Sequence, residues 1–310
     1  MGNLKDGKAV HYHRCGPMTR TDTPSTRVIS SRVSVRRRVV DIWRYRELLV
    51  GLVRKELKVK YKNSILGFLW SMLNPALYLA VFYVVFQLVL KNGIPNFAIY
   101  LLSGLLVWNL FSTGLPGATG SIVGNAAIVK KVAFPREILA IASVGAALVH
   151  FFLQGCVLLL ALIAFRYPPS PGYFLLVPVA LFALLLFTSA LGILLAAVNV
   201  YLRDTQHLLE LVLLAWFWGT PIVYQYRLVA DRLGDKAWLY RLNPVTPIVL
   251  TFQRAIYNKA EPNGIRILPI GVGPSWYIWQ LAWVIVVSAV LFVVALAVFG
   301  RLEGNFAEEL

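Results

Sequence analysis

The stretch RKELKVKYKNSILGFLWSMLNP (54–75) joins a basic amphipathic segment to a membrane-spanning one with only Asn63 and Ser64 between them. Upstream, over 43–62, Leu48, Leu49, Leu52, Val53, Leu57 and Val59 recur at helical spacing, while Arg44, Arg46, Arg54, Lys55, Lys58 and Lys62 mostly take the other faces. Such a helix is expected to lie in the interface plane with its basic side toward lipid phosphates. Downstream, 65–90 carries no charged residue over 26 positions. At about 1.5 Å per residue that is enough to cross a hydrocarbon core of about 30 Å.

Composition extends this reading to the whole chain. Of 310 residues, 58% are apolar and only 14% charged, with a mean hydropathy of +0.69. One soluble core does not absorb that much apolar surface, so lipid is the expected solvent. The net charge of +16 does not point to nucleic acid, because 16 of the 30 Lys and Arg residues precede Asn63, next to a span. Anionic membrane lipid is the expected partner. Cys15 and Cys156 sit in a polar tail and an apolar run, which gives no disulfide or metal framework. Residues 1–40 lack a signal-peptide pattern and read as a basic, disordered cytosolic tail, so the first span itself directs insertion.

Beyond the amphipathic segment at 41–63, six apolar stretches fall near 65–90, 97–122, 138–165, 173–202, 208–224 and 277–299, within a transmembrane domain of 64–302. A short tail, 303–310, follows. With both termini inside, 21 basic residues face the cytosol and nine face out, favouring an N-in, C-in, all-α membrane protein. Seven of those nine lie between 225 and 275, against only Asp231, Asp235 and Glu261, so this loop fits the charge rule imperfectly. The segment 226–275 is also too patterned for a bare linker. The run after Asn243-Pro244, with Pro247 at its start, reads as an outer gate or lid that dips into the outer leaflet or packs over the bundle.

On the cytosolic side, the loop 124–137 carries Asn125 as a cap for a short helix through Val132. It is expected to expose Ile128, Val129 and Phe134 beside Lys130 and Lys131, until Pro135 stops it. Exposed apolar residues on a cytosolic loop ask for a partner, although a plain positive-inside loop anchored by Phe134 has the same sequence. Arg203 and Asp204, where two spans nearly touch, either contact that partner or staple the turn.

No catalytic constellation stands out. GLPGATGS (114–121) lacks the lysine of a phosphate loop, so the chain is not expected to hydrolyse ATP, and no cofactor of its own is implied. His11 and His13 have no carboxylate or cysteine cluster, hence no expected metal site. His150 and Gln154, one turn apart in the third span, make either an interhelical bond or a substrate contact. Aromatic residues are the distinctive content of the spans. Trp70, Tyr78, Phe82 and Phe86 fall on four-residue steps in the first, and Trp216 and Tyr224 repeat the spacing in the fifth, with Phe217 and Trp218 alongside. Flat rings stack on sugars and tolerate sliding, but they also belt membrane interfaces, and both readings stand.

Taken in order, the amphipathic basic helix, KYKNSILGFLWSMLNP, VKKVAFPREIL, NVYLRDTQHLLELVLLAWFWGTPIVY, NPVTPIVLTFQRAI and the terminal FAEEL resemble the membrane subunit of ABC-2 type polysaccharide exporters, which carry lipid-linked O-antigen, teichoic acid or galactan. The similarity runs from about residue 43 to the C terminus. It implies a multi-pass homodimer in the bacterial plasma (inner) membrane, bound to two copies of a separate ATPase that holds the ATP and Mg. It further implies that 128–135 is the coupling helix docking on that ATPase and that 54–62 ends an interfacial gate helix. The first and fifth spans would line the channel, with the outer gate at 243–256. A polyprenyl-pyrophosphate-linked glycan is the implied cargo, Arg44, Arg46, Lys58 and Lys62 being candidates for its headgroup. Two alternatives share parts of the pattern: a small-molecule exporter permease of the same superfamily, and a polytopic membrane glycosyltransferase.

Overall fold

A computed structural model describes residues 35–62, 69–89, 94–132 and 134–310. Every regular element among them is helical. In chain order these are α1 (Val35–Arg44), α2 (Arg46–Tyr61), α3 (Leu69–Tyr83, continued by a π-helical stretch Val84–Val89), α4 (Phe97–Gly124), α5 (Ala126–Lys131), α6 (Glu137–Ala164), α7 (Pro171–Phe174), α8 (Val177–Tyr201), α9 (Thr205–Trp218), α10 (Tyr226–Leu233), α11 (Ala237–Tyr240), α12 (Val245–Tyr257), α13 (Pro274–Leu302) and α14 (Phe306–Glu309).

Helix α4 is the axis of the bundle. It is apolar all round, as a helix with no solvent face must be, and 83% of its most apolar window is buried. Helices α6 and α8 flank it, and α13 packs along α8. Small residues allow the close approach, as is usual between helices in lipid. A Cβ at Gly114 would stand 3.3 Å from the Ala147 Cβ, and one at Gly192 would stand 2.6 Å from the Ala118 Cβ.

Among the described residues, four helices are long and apolar enough to cross a membrane: Phe97–Gly124, Glu137–Ala164, Pro171–Tyr201 and Pro274–Asn305. They match the second, third, fourth and sixth stretches read from the sequence. The first stretch (65–90) is described only in part; its apolar helical portion is Pro75–Phe86. The fifth (208–224) is shorter than the sequence suggests. Its helix ends at Trp218, because Gly219 and Pro221 break the ladder, and its 14 residues reach about 21 Å, short of a hydrocarbon core of about 30 Å.

Two further boundaries differ. The expected tail, 1–40, is already helical from Val35, and the expected single helix at 41–63 is α1 and α2 with a break at Tyr45. The larger change concerns α12. Every residue in it except Arg254 is buried, and it packs against α4 and α8. The run expected to dip into the outer leaflet or pack over the bundle is an internal helix of that bundle. Its sequence permits this because Val245, Ile248, Val249, Phe252 and Ile256 form an apolar surface and Thr246 and Thr251 are small.

Candidate functional site

The amphipathic helix is seated by polar contacts that its basic character does not advertise. Ser143 Oγ donates to Glu56 at 2.7 Å, Lys60 Nζ lies 3.1 Å from His150 Nε2, and Tyr61 Oη lies 2.9 Å from His150 Nδ1. A neutral imidazole accepting from Lys60 at Nε2 carries its proton on Nδ1 and donates it to Tyr61. Desolvation raises the Glu56 carboxyl above its ordinary range, opposed by the Ser143 hydroxyl and Lys55, and it lowers the Lys60 ammonium.

Farther back, Arg38 is buried with its guanidinium on Glu137 and Glu303, where burial opposes its charge and the two carboxylates raise its pKa overall. Gly300 leaves room for it: a Cβ there would be 2.8 Å from Arg38 Nη2. Helix α2 follows the first half of α6 as far as His150, while α1 packs on α13 and reaches the start of α6 through Arg38. The helix expected to rest flat on the interface is packed along a span.

The 124–137 loop meets this helix directly. Lys55 Nζ donates to Asn125 Oδ1 at 2.7 Å, and Asn125 Nδ2 donates to Ser121 O at 2.8 Å. Asn125 precedes α5 as expected, but its side chain is committed to these bonds rather than to a cap. Helix α5 ends at Lys131, one residue short of Val132. Lys130 and Lys131 are exposed, and Ile128, Phe134 and Pro135 are half-buried. Val129 is buried rather than exposed, in a cluster with Leu52, Ile122, Leu139 and Val200. Arg136 donates to Glu303 O at 2.9 Å, which ties the loop's end to the Arg38 cluster. Arg203 and Asp204 are both exposed, and among the described residues no ion pair staples them.

The aromatic stripe divides. Tyr78 stacks on Phe82 at 5.9 Å between centroids, and Phe82 and Phe86 are 5.9 Å apart. The series then turns inward through Phe97 to Tyr100 and Tyr257, all buried. Tyr78 remains 44% exposed, whereas Phe82 and Phe86 pack on the core. The side chain of Trp70 lies outside the described residues. In α9, Trp216 packs edge-on to Phe111 at 5.1 Å and Phe217 lies 5.4 Å from Trp108. Trp218 stays 60% exposed. Tyr224 donates to Trp218 O at 2.7 Å and lies 2.6 Å from Tyr240 Oη.

One residue joins the fifth stretch to α12. Asn243 Oδ1 accepts from Trp216 Nε1 at 2.8 Å and from Val245 N at 3.1 Å, while its Nδ2 donates to Thr220 Oγ1 at 3.0 Å. Asn243 thereby holds the first amide of α12 and ties that end of the helix to α9. Pro244 is half-buried and Pro247 buried.

Residues 47–257 match the family model described as ABC-2 type transporter. The chain belongs to the ABC-2 type transporter family. An ABC-2 relative from Myxococcus xanthus, named O-antigen export system permease protein RfbA, is 32% identical over 274 residues, 88% of this chain and 99% of that one. A protein of the same name from Klebsiella pneumoniae is 30% identical over 263 residues, 84% and 94% of the two chains. The polysialic acid transport protein KpsM of Escherichia coli is 20% identical over 221 residues, 70% and 84%. The ABC-2 match covers α2 through α12 and confirms a membrane protein with several apolar helices.

Within this ABC-2 chain, the side chains expected to line or gate a path are not gathered into one pocket. Arg44, Arg46, Arg54, Lys58 and Lys62 are exposed along α1, α2 and the residue after it. His150 and Gln154 both make interhelical bonds, Gln154 accepting from Asn109 Nδ2 at 3.1 Å. Arg38, Glu56, Lys60, Glu137 and Glu303 were not singled out from the sequence. Glu56 offered a signal: it is the sole acid between Arg54 and Lys62, one turn before Lys60. Arg38 offered none, lying in a run of three arginines.

Proposed function

We propose that the chain is the permease subunit of an ATP-driven exporter that moves a lipid-linked polysaccharide from the cytosolic to the outer side of the bacterial plasma membrane. The relatives named for O-antigen and polysialic acid transport support the cargo class. The observation that carries the mechanism is the Lys55–Asn125 contact at 2.7 Å. It joins the loop that would dock on a separate ATPase to the helix that would admit the cargo.

In this reading two copies of the chain assemble with two ATPase subunits, which bind ATP and Mg. Lys130, Lys131, Ile128, Phe134 and Pro135 form the docking element, with Arg203 and Asp204 beside it. Motion of α5 is passed to α2 through Lys55 and, by way of Arg136 and Glu303, to α1. Because Glu56, Lys60 and Tyr61 hold α2 on α6, that motion changes how α2 lies against the bundle. Arg44, Arg46, Lys58 and Lys62 attract the pyrophosphate headgroup. Tyr78 and Trp218, the exposed members of the two aromatic series, offer faces to passing sugars.

The test is export in vesicles containing the chain and its ATPase. Phe134→Asp is expected to abolish docking while leaving the bundle folded, and Tyr78→Ala with Trp218→Ala to lower glycan export with the ATPase still bound. Unchanged export in both variants overturns the reading.

A further inference from the structure

Between α2, α6 and α8 lies an apolar groove of about 450 Å³, walled by Val50 and Arg54 of α2, Ile141 and Leu148 of α6, and Leu185 and Ser189 of α8. Its volume is within the range of about 300–1,000 Å³ typical of small-molecule sites. Helix α2 forms one wall because Gly145 lets it come close; a Cβ there would be 2.9 Å from Val53 Cγ2.

The groove's place along α6 limits what fills it. Ile141 to Leu148 lie four to eleven residues past the helix start at Glu137. At about 1.5 Å per residue this is roughly 6–17 Å in, the depth of one leaflet's hydrocarbon. One basic residue, Arg54, stands in the groove's own wall. Arg54 is adjacent to Lys55, which touches the 124–137 loop at Asn125. Arg54 enters no ion pair among the described residues. An apolar slot with one unpaired guanidinium in its wall, beside the loop at Asn125, matches a lipid that carries a hydrocarbon chain and an anionic phosphate.

We propose that this groove is the seat of one acyl chain of an anionic phospholipid from the coupling-loop leaflet, with Arg54 on its phosphate. The lipid is resident rather than cargo, and it wedges α2 against α6 and α8. This rests on the membrane placement of the bundle, not on the transported substrate.

The experiment uses the full-length chain in detergent, loaded with labelled phosphatidylglycerol, washed, and assayed for retained label by mass spectrometry. Wild type retains the lipid. Val50→Trp, which fills the groove from an exposed position, and Arg54→Gln, which removes the headgroup contact, each lower retention about tenfold at unchanged helix content and elution volume. Retention equal to wild type in both variants overturns the proposal. So does displacement of the label by polyprenyl phosphate at equal concentration, since the groove would then belong to the cargo.

Discussion

The two ends of the bundle are held by different chemistry. On the coupling-loop side, α1 and α2 are fixed by charged side chains that reach across long sequence separations: Arg38 to Glu137 and Glu303, Lys55 to Asn125, Lys60 to His150. On the other side, α12 is fixed by burial of all but one of its residues and by neutral hydrogen bonds around Asn243. Long charged contacts break one at a time and re-form elsewhere, whereas a helix packed on every face moves only with its neighbours. Single contacts can therefore be lost beside α2 without moving its neighbours, a freedom that α12 lacks.

The contrast is broken most severely at its strongest contact. Arg38→Met should destabilise the fold by about 3–5 kcal/mol, because Glu137 is left buried and charged without its partner; denaturant unfolding in detergent measures it. Asn243→Ala should lose about 1–3 kcal/mol by orphaning Trp216 Nε1 and the Val245 amide. Thermal unfolding checks that, and a result below the cost of Lys55→Met would remove the distinction between the two ends.

Lys55→Met tests the movable side. Its bond is exposed, so stability should change by no more than about 1 kcal/mol, while ATP hydrolysis by the docked partner is uncoupled from export. The smallest effect is pH dependence at Glu56. Burial raises its carboxyl in the folded state, so the seat of α2 is firmest below the ordinary glutamate range and loosens as pH rises through the raised value. Hydrogen exchange of α2 amides, corrected for intrinsic rates, should show this loosening, and Glu56→Gln should remove it.

Much of this was legible in the sequence. Uncharged runs located the four long spans to within a few residues, since lipid tolerates no other composition there, and Asn125 and Asn243 were both marked as turning points. The exposure of the coupling loop was misjudged at Val129, because which side of a single helical turn is covered depends on Leu52 and Val200, from other helices. The aromatic stripes were found but not sorted. Spacing places Phe82 and Tyr78 on one face, and only the neighbouring α4 decides that Phe82 packs while Tyr78 stays free. The depth of α12 was not legible for a related reason: an amphipathic run of 13 residues reads the same whether its polar side meets water or, as for Gln253 Nε2 donating to Pro221 O at 3.1 Å, a buried carbonyl.

The sequence by itself determined that this chain lives in a membrane, where its helices run and which family it belongs to, because hydrophobicity and its period are local properties. Tertiary structure alone decided that α12 is core, that Arg38 is buried and that Lys55 joins α2 to the coupling loop. Those contacts join residues 70 to 265 positions apart, and no local pattern records which distant carboxylate, amide or empty Cβ position a side chain will meet once the helices pack.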